Sequence, residues 1–403
     1  MIYPRFLQES IALALQHFPS ILITGARQCG KSTLAMGLCE NYITLDDITV
    51  LSLAKSDPVM FISRLKCPII IDEIQKAPEL LSAIKMAIDK ERIAGQFILT
   101  GSANIMDFKN VSDTLAGRIA LFELSPLSLG EISKSKEFFI DSVFKDTFTP
   151  PTQKILDDAS MFQHIIDGMY PNMVNMHESR MKYLWLSSYI STYIERDIRD
   201  IDNIRNIDKF AKLIHLLASR SANIINKADL SVSSGLDVKT LDNHLGLLEL
   251  IYQIKKVKPY YANIGKRFVK SEKLFFTDTG ILNFLLGIQS VEQLLGSTYL
   301  GGIFETFVFN ELFKQKSFLM DTTQIYYYRT LDKKEIDFII ERGDKLIAIE
   351  IKFAKSVSKS DFKHIIDLQQ STDKLHLGIV IYMGEHALAF GEKLWALPFG
   401  MIV

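Results

Sequence analysis

Through its first 125 residues the chain alternates short apolar runs with longer amphipathic stretches. Ser20-Ile21-Leu22-Ile23-Thr24, Tyr42-Ile43-Thr44-Leu45, Cys67-Pro68-Ile69-Ile70-Ile71 and Gln96-Phe97-Ile98-Leu99-Thr100 are each too short for a helix and apolar at consecutive positions. Such runs read as strands of a parallel sheet buried on both faces, and the tracts between them, beginning with Thr33-Leu34-Ala35-Met36, as covering helices. From about residue 126 to 151 the pattern dissolves into polar and aromatic residues, with Pro150-Pro151 marking a break. Residues 153–200 then read as helices, with Tyr193, Ile194, Ile198 and Ile201 along one stripe and Glu195, Arg196, Asp197, Arg199 and Asp200 turned away from it. Residues 210–217 are amphipathic. A turn through Ser233-Ser234-Gly235 follows the short helix at Asn226, and Asp237 caps another in which Leu241, Leu245 and Leu248 share a side. In the last third, a helix over 303–314 gives way to strands over 325–329, 335–340 and 346–352.

The chemistry begins where the first strand ends. Gly25-Ala26-Arg27-Gln28-Cys29-Gly30-Lys31-Ser32 fulfils G-x-x-x-x-G-K-[ST] between a strand and a helix, so successive backbone N–H groups can turn inward around phosphates. Lys31 then reaches the terminal phosphates and Ser32 can ligand Mg²⁺. We expect nucleotide contacts from Gly25, Ala26, Arg27, Gln28, Cys29, Gly30, Lys31, Ser32 and Thr33, joined by Asp72 and Ser102. The third run ends in Asp72-Glu73, at the strand end where ligands sit in parallel sheets. Asp72 would hold Mg²⁺ and Glu73 would activate the attacking water; the competing reading makes this acidic pair the cap of the helix that follows. Ser102 or Asn104 could report on the γ-phosphate, or simply form a turn. Arg118 could supply positive charge, in its own subunit or across an interface, whereas Arg27 is expected to face solvent or an acidic neighbour.

A length of 403 residues exceeds one compact core and suggests about two to four domains. Hydrophobic residues at 48 %, charged residues at 23 % and a formal charge of −1 argue against a disordered or fibrous chain and give no global sign of nucleic-acid binding. Lys255, Lys256, Lys258, Lys266, Arg267, Lys270 and Lys273 nevertheless make a local basic stretch around a hairpin with Gly265 at its tip. Three cysteines without paired spacing indicate neither a disulfide framework nor a zinc site, and no run approaches a membrane span. These features predict a cytoplasmic protein.

Tyr3-Pro4-Arg5, G-A-R-Q-x-G-K-[ST], the I-I-D-E-I-Q run and the L-T-G-S run together resemble the AAA-type P-loop ATPases of prokaryotes, and the resemblance extends over essentially the whole chain. It implies ATP rather than GTP, an ATPase with Mg²⁺, and a C-terminal half with a winged helix and a DUF4143-type region. In the winged-helix-like part, Lys239, Thr240, Asn243 and His244 would be exposed on a recognition helix, with Lys266, Arg267 and Lys270 on the wing. The last part is similar to the restriction-endonuclease-like PD-(D/E)xK fold. Asp337, Glu350 and Glu305 would hold Mg²⁺, Lys352 would be the catalytic cation, Arg329 would grip phosphate, and Glu335-Ile336 stand where that family's proline is expected. Cross-strand ion pairing of Lys352 with Asp337 or Glu350 is the structural alternative.

The expected fold class is therefore α/β: a P-loop parallel-sheet domain (1–150), a helical lid or linker (151–204), a winged-helix-like domain (205–290) and a small α/β PD-(D/E)xK-like domain (291–403). Two functions fit this order. One is an ATPase coupled to a nuclease-like half that contacts DNA. The other is an ATP-dependent switch whose second half docks a protein partner, with the oligomeric state open in both.

Overall fold

The computed structural model describes residues 2–103, 115–194, 207–267, 271–330, 332 and 334–402. Asn104, Glu195, Arg196, Asp197, Ile198, Arg199, Asp200, Ile201 and Lys270 lie outside them, as do the side chains of Tyr193, Ile194 and Lys266. Two compact units emerge: Met1–Leu127 with Tyr170–Asn172 and Leu247–Gln253, and Ser128–Met169 with Met173–Gly246 and Ile254–Val403.

The first unit is built on β1 (Ser20–Thr24), β2 (Tyr42–Thr44), β3 (Ile69–Asp72), β4 (Phe97–Gly101) and β5 (Ile119–Glu123), ordered β2-β3-β4-β1-β5 with every pairing parallel. All residues of β1, β3 and β4 are buried, as their unbroken apolar runs require in a sheet covered on both faces. The helix Leu80–Lys90 lays Leu80, Leu81, Ala83, Ile84 and Ile88 into a core with Leu22, Ile71 and Leu99. Because β4 crosses between β1 and β3, the ends of three strands (Thr24, Asp72 and Thr100) come out side by side.

In the second unit the helix Ile207–Ala218 precedes β6 (Asn223–Ile224), the helices Lys227–Ser234 and Val238–Leu250, and the strands β7 (Ile254–Val257) and β8 (Lys273–Phe276), ordered β6-β8-β7. Gly235 at φ +71° ends the first of those two helices at the expected turn. Gly265 lies in a helical turn, Ile264–Arg267, within the connection from β7 to β8. The helix Leu300–Leu319 then leads into β9 (Gln324–Arg329), β10 (Glu335–Arg342) and β11 (Lys345–Lys352), an antiparallel meander. After the helix Lys363–Ser371, β12 (Leu375–Tyr382) pairs parallel to β11, β14 (Leu394–Pro398) parallel to β12, and β13 (Leu388–Gly391) antiparallel to β14. The sheet thus has six strands, three more than the sequence pattern singled out. Ser128–Met169 already group with this unit, where Leu129 N donates to Glu311 (2.8 Å) and Ile140 N to Gln315 (3.1 Å) of the helix Leu300–Leu319.

Candidate functional site

The loop after β1 depends on its glycines. Gly25 has φ +147°, and a Cβ there would lie 2.2 Å from the carbonyl oxygen of Leu124; Gly30 has φ +100° at the start of the helix Lys31–Met36. Cys29 and Ala26 are buried, Gln28 is exposed with its amide oxygen accepting from Asn172 (3.1 Å), and Thr33 is exposed in the first turn of the helix. Arg5 braces the loop from outside: Nη1 donates to Cys29 O (2.7 Å) and Nη2 to Ser125 O (2.6 Å). The buried Lys31 ammonium rests on the carbonyls of Gly25 (3.0 Å) and Ala26 (2.9 Å), neutral acceptors that terminal phosphates can replace.

At the end of β3, Asp72 accepts from Ser32 Oγ at 3.0 and 3.2 Å, from the Tyr42 hydroxyl at 2.7 Å, and from the Thr100 hydroxyl. Burial, then the bond to Asp72, pushes the Tyr42 phenol up to about 12, so it remains a donor. A hydroxyl against a carboxylate is the hard-oxygen pair that Mg²⁺ prefers, so Ser32 and Asp72 fit that ion. Glu73 adopts φ +58°, left-handed, and its side chain makes no cap to the 3₁₀ turn Ile74–Lys76. Instead its carboxylate accepts from Ser102 Oγ (3.1 Å) and from the Gln75 amide, which also donates to Ser102 Oγ (2.8 Å). The capping alternative for Asp72-Glu73 therefore fails. Tyr42, Thr100, Gln75 and Arg5 were not anticipated as site residues: the first two sit at the ends of apolar runs, and the others inside motif segments.

Arg118 stands apart from the loop of its own chain. It precedes β5, and its carbonyl accepts from Ser20 N at the start of β1, so it lies at the sheet edge opposite the loop. Its guanidinium pairs with Asp89 at 2.7 and 3.2 Å, and that bond holds the Asp89 carboxyl below its usual range. The run of β5 therefore separates Arg118 from the phosphate loop of its own chain.

The second acidic cluster is organised differently. Glu305 of the helix Leu300–Leu319 and Glu335 and Asp337 of β10 come together around Lys273 of β8, with Glu350 of β11 beside Asp337. The Lys273 Nζ lies 2.6 Å from Glu305, 3.3 Å from Glu335 and 3.9 Å from Asp337, and the residue is only 2 % exposed. Burial opposes its charge, but Glu305 and Asp337 more than offset this, and its pKa moves up. Burial, with Asp337 adding to it, pushes Glu305 well above the ordinary carboxylate range, while burial raises Asp337. Asp337 accepts from Ile351 N (2.8 Å). Glu350 is raised to about 7, by burial first and Asp337 second, and Lys352 sits 3.0 Å from it.

Among the described residues no group of three or more His, Cys, Asp or Glu side chains is arranged to hold a metal ion. The expected Mg²⁺ set of Asp337, Glu350 and Glu305 does not fit, because an ammonium already stands among the carboxylates. Lys352 pairs with Glu350 of its own strand, an ion pair within β11 rather than the cross-strand one expected, and Arg329 faces Glu335 (3.7 Å). Two residues of the winged-helix-like part are also corrected. His244 is buried edge-on to Phe210, and Arg267 is buried against Glu341 at 2.6 and 3.1 Å. Lys239 and Asn243 are exposed, while the Thr240 hydroxyl is bonded to Asp237 (2.6 Å).

No helix among the described residues is long and apolar enough to cross a membrane. A family model described as an AAA domain matches residues 17–133, and models described as domains of unknown function, DUF8612 and DUF4143, match residues 158–292 and 300–402. An uncharacterized protein of Mycobacterium tuberculosis is 28 % identical over 397 residues, covering 97 % of this chain and 82 % of that protein. One of Haemophilus influenzae is 23 % identical over 400 residues, covering 92 % and 91 %. Among solved structures, a Walker-type ATPase of Pyrococcus abyssi is 14 % identical, with a TM-score of 0.44, covering 71 % of this chain and 96 % of that one. The loop from Gly25 to Ser32 and the acidic end of β3 thus lie within the stretch that the AAA domain model matches, and the stretch that the DUF4143 model matches follows in the same chain.

Proposed function

We propose that the chain is an Mg²⁺-assisted ATPase whose nucleotide cycle controls a binding, rather than cleaving, second half. The observation that carries this is the paired arrangement at the end of β3: Asp72 against the Ser32 hydroxyl, and Glu73 held ready by Ser102 and Gln75. Mg²⁺, where bound, supplies positive charge to the phosphate oxygens. Lys31 exchanges the Gly25 and Ala26 carbonyls for the terminal phosphates, and the loop amides enclose them. Glu73 accepts the proton of the attacking water, while Ser102 and Gln75 fix which carboxylate oxygen faces it. Lys31→Ala should abolish ATP turnover; a variant that hydrolyses ATP at the wild-type rate would refute the assignment.

For the second half, the order of one helix, a short strand, two helices and two paired strands supports a winged-helix module. A helix, three antiparallel strands, a helix and a parallel strand support the nuclease-like core. A cavity of about 330 Å³ lined by Lys255, Lys256, Lys258 and Lys316 with Phe309, Phe313 and Tyr326 favours a nucleic-acid partner over a protein one, since bases stack on aromatic rings while lysines follow phosphates. Binding of labelled single-stranded and duplex DNA, with and without ATP, should weaken steeply as salt rises; salt-insensitive or absent binding would turn the reading toward a protein partner. The three cysteines are free, which is consistent with a reducing, cytoplasmic setting.

A further inference from the structure

The acidic cluster of the C-terminal sheet has the residue types of a divalent-cation site and an ammonium at its centre. We infer that Lys273 is the resident cation of this cluster and takes the place that a divalent cation would need among Glu305, Glu335 and Asp337. The inference does not depend on the ATPase assignment.

Three observations carry it. The first is proximity: Nζ of Lys273 stands 2.6, 3.3 and 3.9 Å from carboxylates contributed by the helix Leu300–Leu319 and β10. An ammonium within 4 Å of three carboxyl groups supplies there the positive charge that a metal would.

The second is burial. Lys273 and Glu305 are shielded from water, so an incoming ion would have to displace the lysine rather than add beside it. The displaced ammonium would then need a new partner in a dry site, which is unfavourable.

The third is anchorage. Lys273 opens β8, whose next residues Leu274, Phe275 and Phe276 are at most 1 % exposed. The Phe275 ring packs 4.3 Å from Phe309 and 5.7 Å from Phe338, centroid to centroid, tying β8 to the same helix and strand that supply the carboxylates. Tyr327 adds a hydrogen bond from its hydroxyl to Ser271 O (2.6 Å) just upstream. Burial of this aromatic ring holds β8 in place, so it cannot readily retract its lysine. The cluster is therefore a charged joint between the strands that follow Val238–Leu250 and the C-terminal sheet. It does not run metal-dependent phosphodiester cleavage.

Mn²⁺ counting on the nucleotide-free full chain tests this, with circular dichroism to verify folding. Wild type and Asp337→Asn should bind the same number of Mn²⁺ ions, because the cluster takes none. Lys273→Met, which keeps the bulk of the side chain, should gain one equivalent that Lys273→Met/Asp337→Asn loses again. Loss of one equivalent from the wild type on Asp337→Asn would overturn the inference by showing a metal in the cluster with the lysine in place. A folded Lys273→Met that gains no Mn²⁺ would overturn the claim that the lysine takes the place of a divalent cation. If Lys273→Met does not fold, the comparison of wild type with Asp337→Asn still decides, since equal counts support the lysine as resident cation and unequal counts refute it.

Discussion

Lys31 and Lys273 are both buried near carboxylates, and they are used in opposite ways. Lys31 rests on two backbone carbonyls, and Asp72 nearby is held by the hydroxyls of Ser32, Tyr42 and Thr100. Neutral partners satisfy the charges there without cancelling them. Lys273 instead meets Glu305, Glu335 and Asp337 directly. A site awaiting a charged ligand keeps its own ions apart on exchangeable neutral groups, whereas a finished structural site pairs them with each other.

The comparison can be broken most sharply through stability. Lys273→Ala leaves Glu305 and Asp337 buried without their counterion, and removal of one partner from such a cluster costs about 3–5 kcal/mol. Lys31→Ala removes an ammonium from two carbonyls at a loop and should leave the urea midpoint close to that of wild type. Equal destabilisation of both variants in urea unfolding would erase the distinction drawn between the two sites.

Glu73→Gln ranks next, and its effect is kinetic. The amide retains the shape that Ser102 and Gln75 enclose but cannot take a proton from water, so kcat for ATP should fall by about 10²–10⁴ while nucleotide binding persists. A fall in affinity at unchanged kcat would make Glu73 a positioning group only.

Much of this contrast was legible in the sequence for the first site and hidden for the second. β1, β3 and β4 could be read because consecutive apolar residues have one compact use in a parallel sheet, and Gly25 to Ser32 because each fixed position answers to a phosphate. Lys273 could not. It belongs to a basic stretch whose composition suggested an exposed wing, and its partners Glu305, Glu335 and Asp337 lie more than 30 residues away, joined to it only when β8 packs on the helix Leu300–Leu319. His244 and Arg267 were misread for the same reason, because helix and hairpin periodicity places a residue on a face without saying what covers that face. β12 and β14 are apolar runs whose place depends on non-local parallel pairing, and β13 is a four-residue, largely exposed edge.

A smaller effect probes the rim of the second cluster by pH. Glu350 is raised from its ordinary 4.5 to about 7, so the folded chain keeps a proton there that the unfolded chain has already lost. Its contribution to stability is then fully favourable below about pH 4.5, is lost as pH rises from there to about 7, and is constant above. Glu350→Gln removes this penalty, offset in part by losing the Lys352 partner, and should stabilise the protein by about 1–2 kcal/mol at pH 8 relative to pH 5. A ΔΔG of unfolding that is flat between these pH values would mean that Asp337 and Lys352 already balance Glu350 in the ionised form.

The smallest effect concerns a cation of the first unit that joins neither pattern. Arg118 pairs with Asp89 at the sheet edge away from the loop, with both side chains partly open to water, at 27 % and 45 % exposure. Solvent screening makes such a pair nearly neutral for stability, and the length of β5 stands between it and the phosphate loop of its own chain. Arg118→Ala should therefore keep kcat for ATP within about twofold of wild type in dilute solution, as surface substitutions generally do. The informative variable is protein concentration. Should wild-type turnover per chain rise with concentration while that of Arg118→Ala stays flat, Arg118 would be reaching the nucleotide of a second copy, and the first site would be complete only across an interface. Parallel behaviour of the two proteins would leave Lys31, Asp72 and Glu73 as a site assembled within one chain.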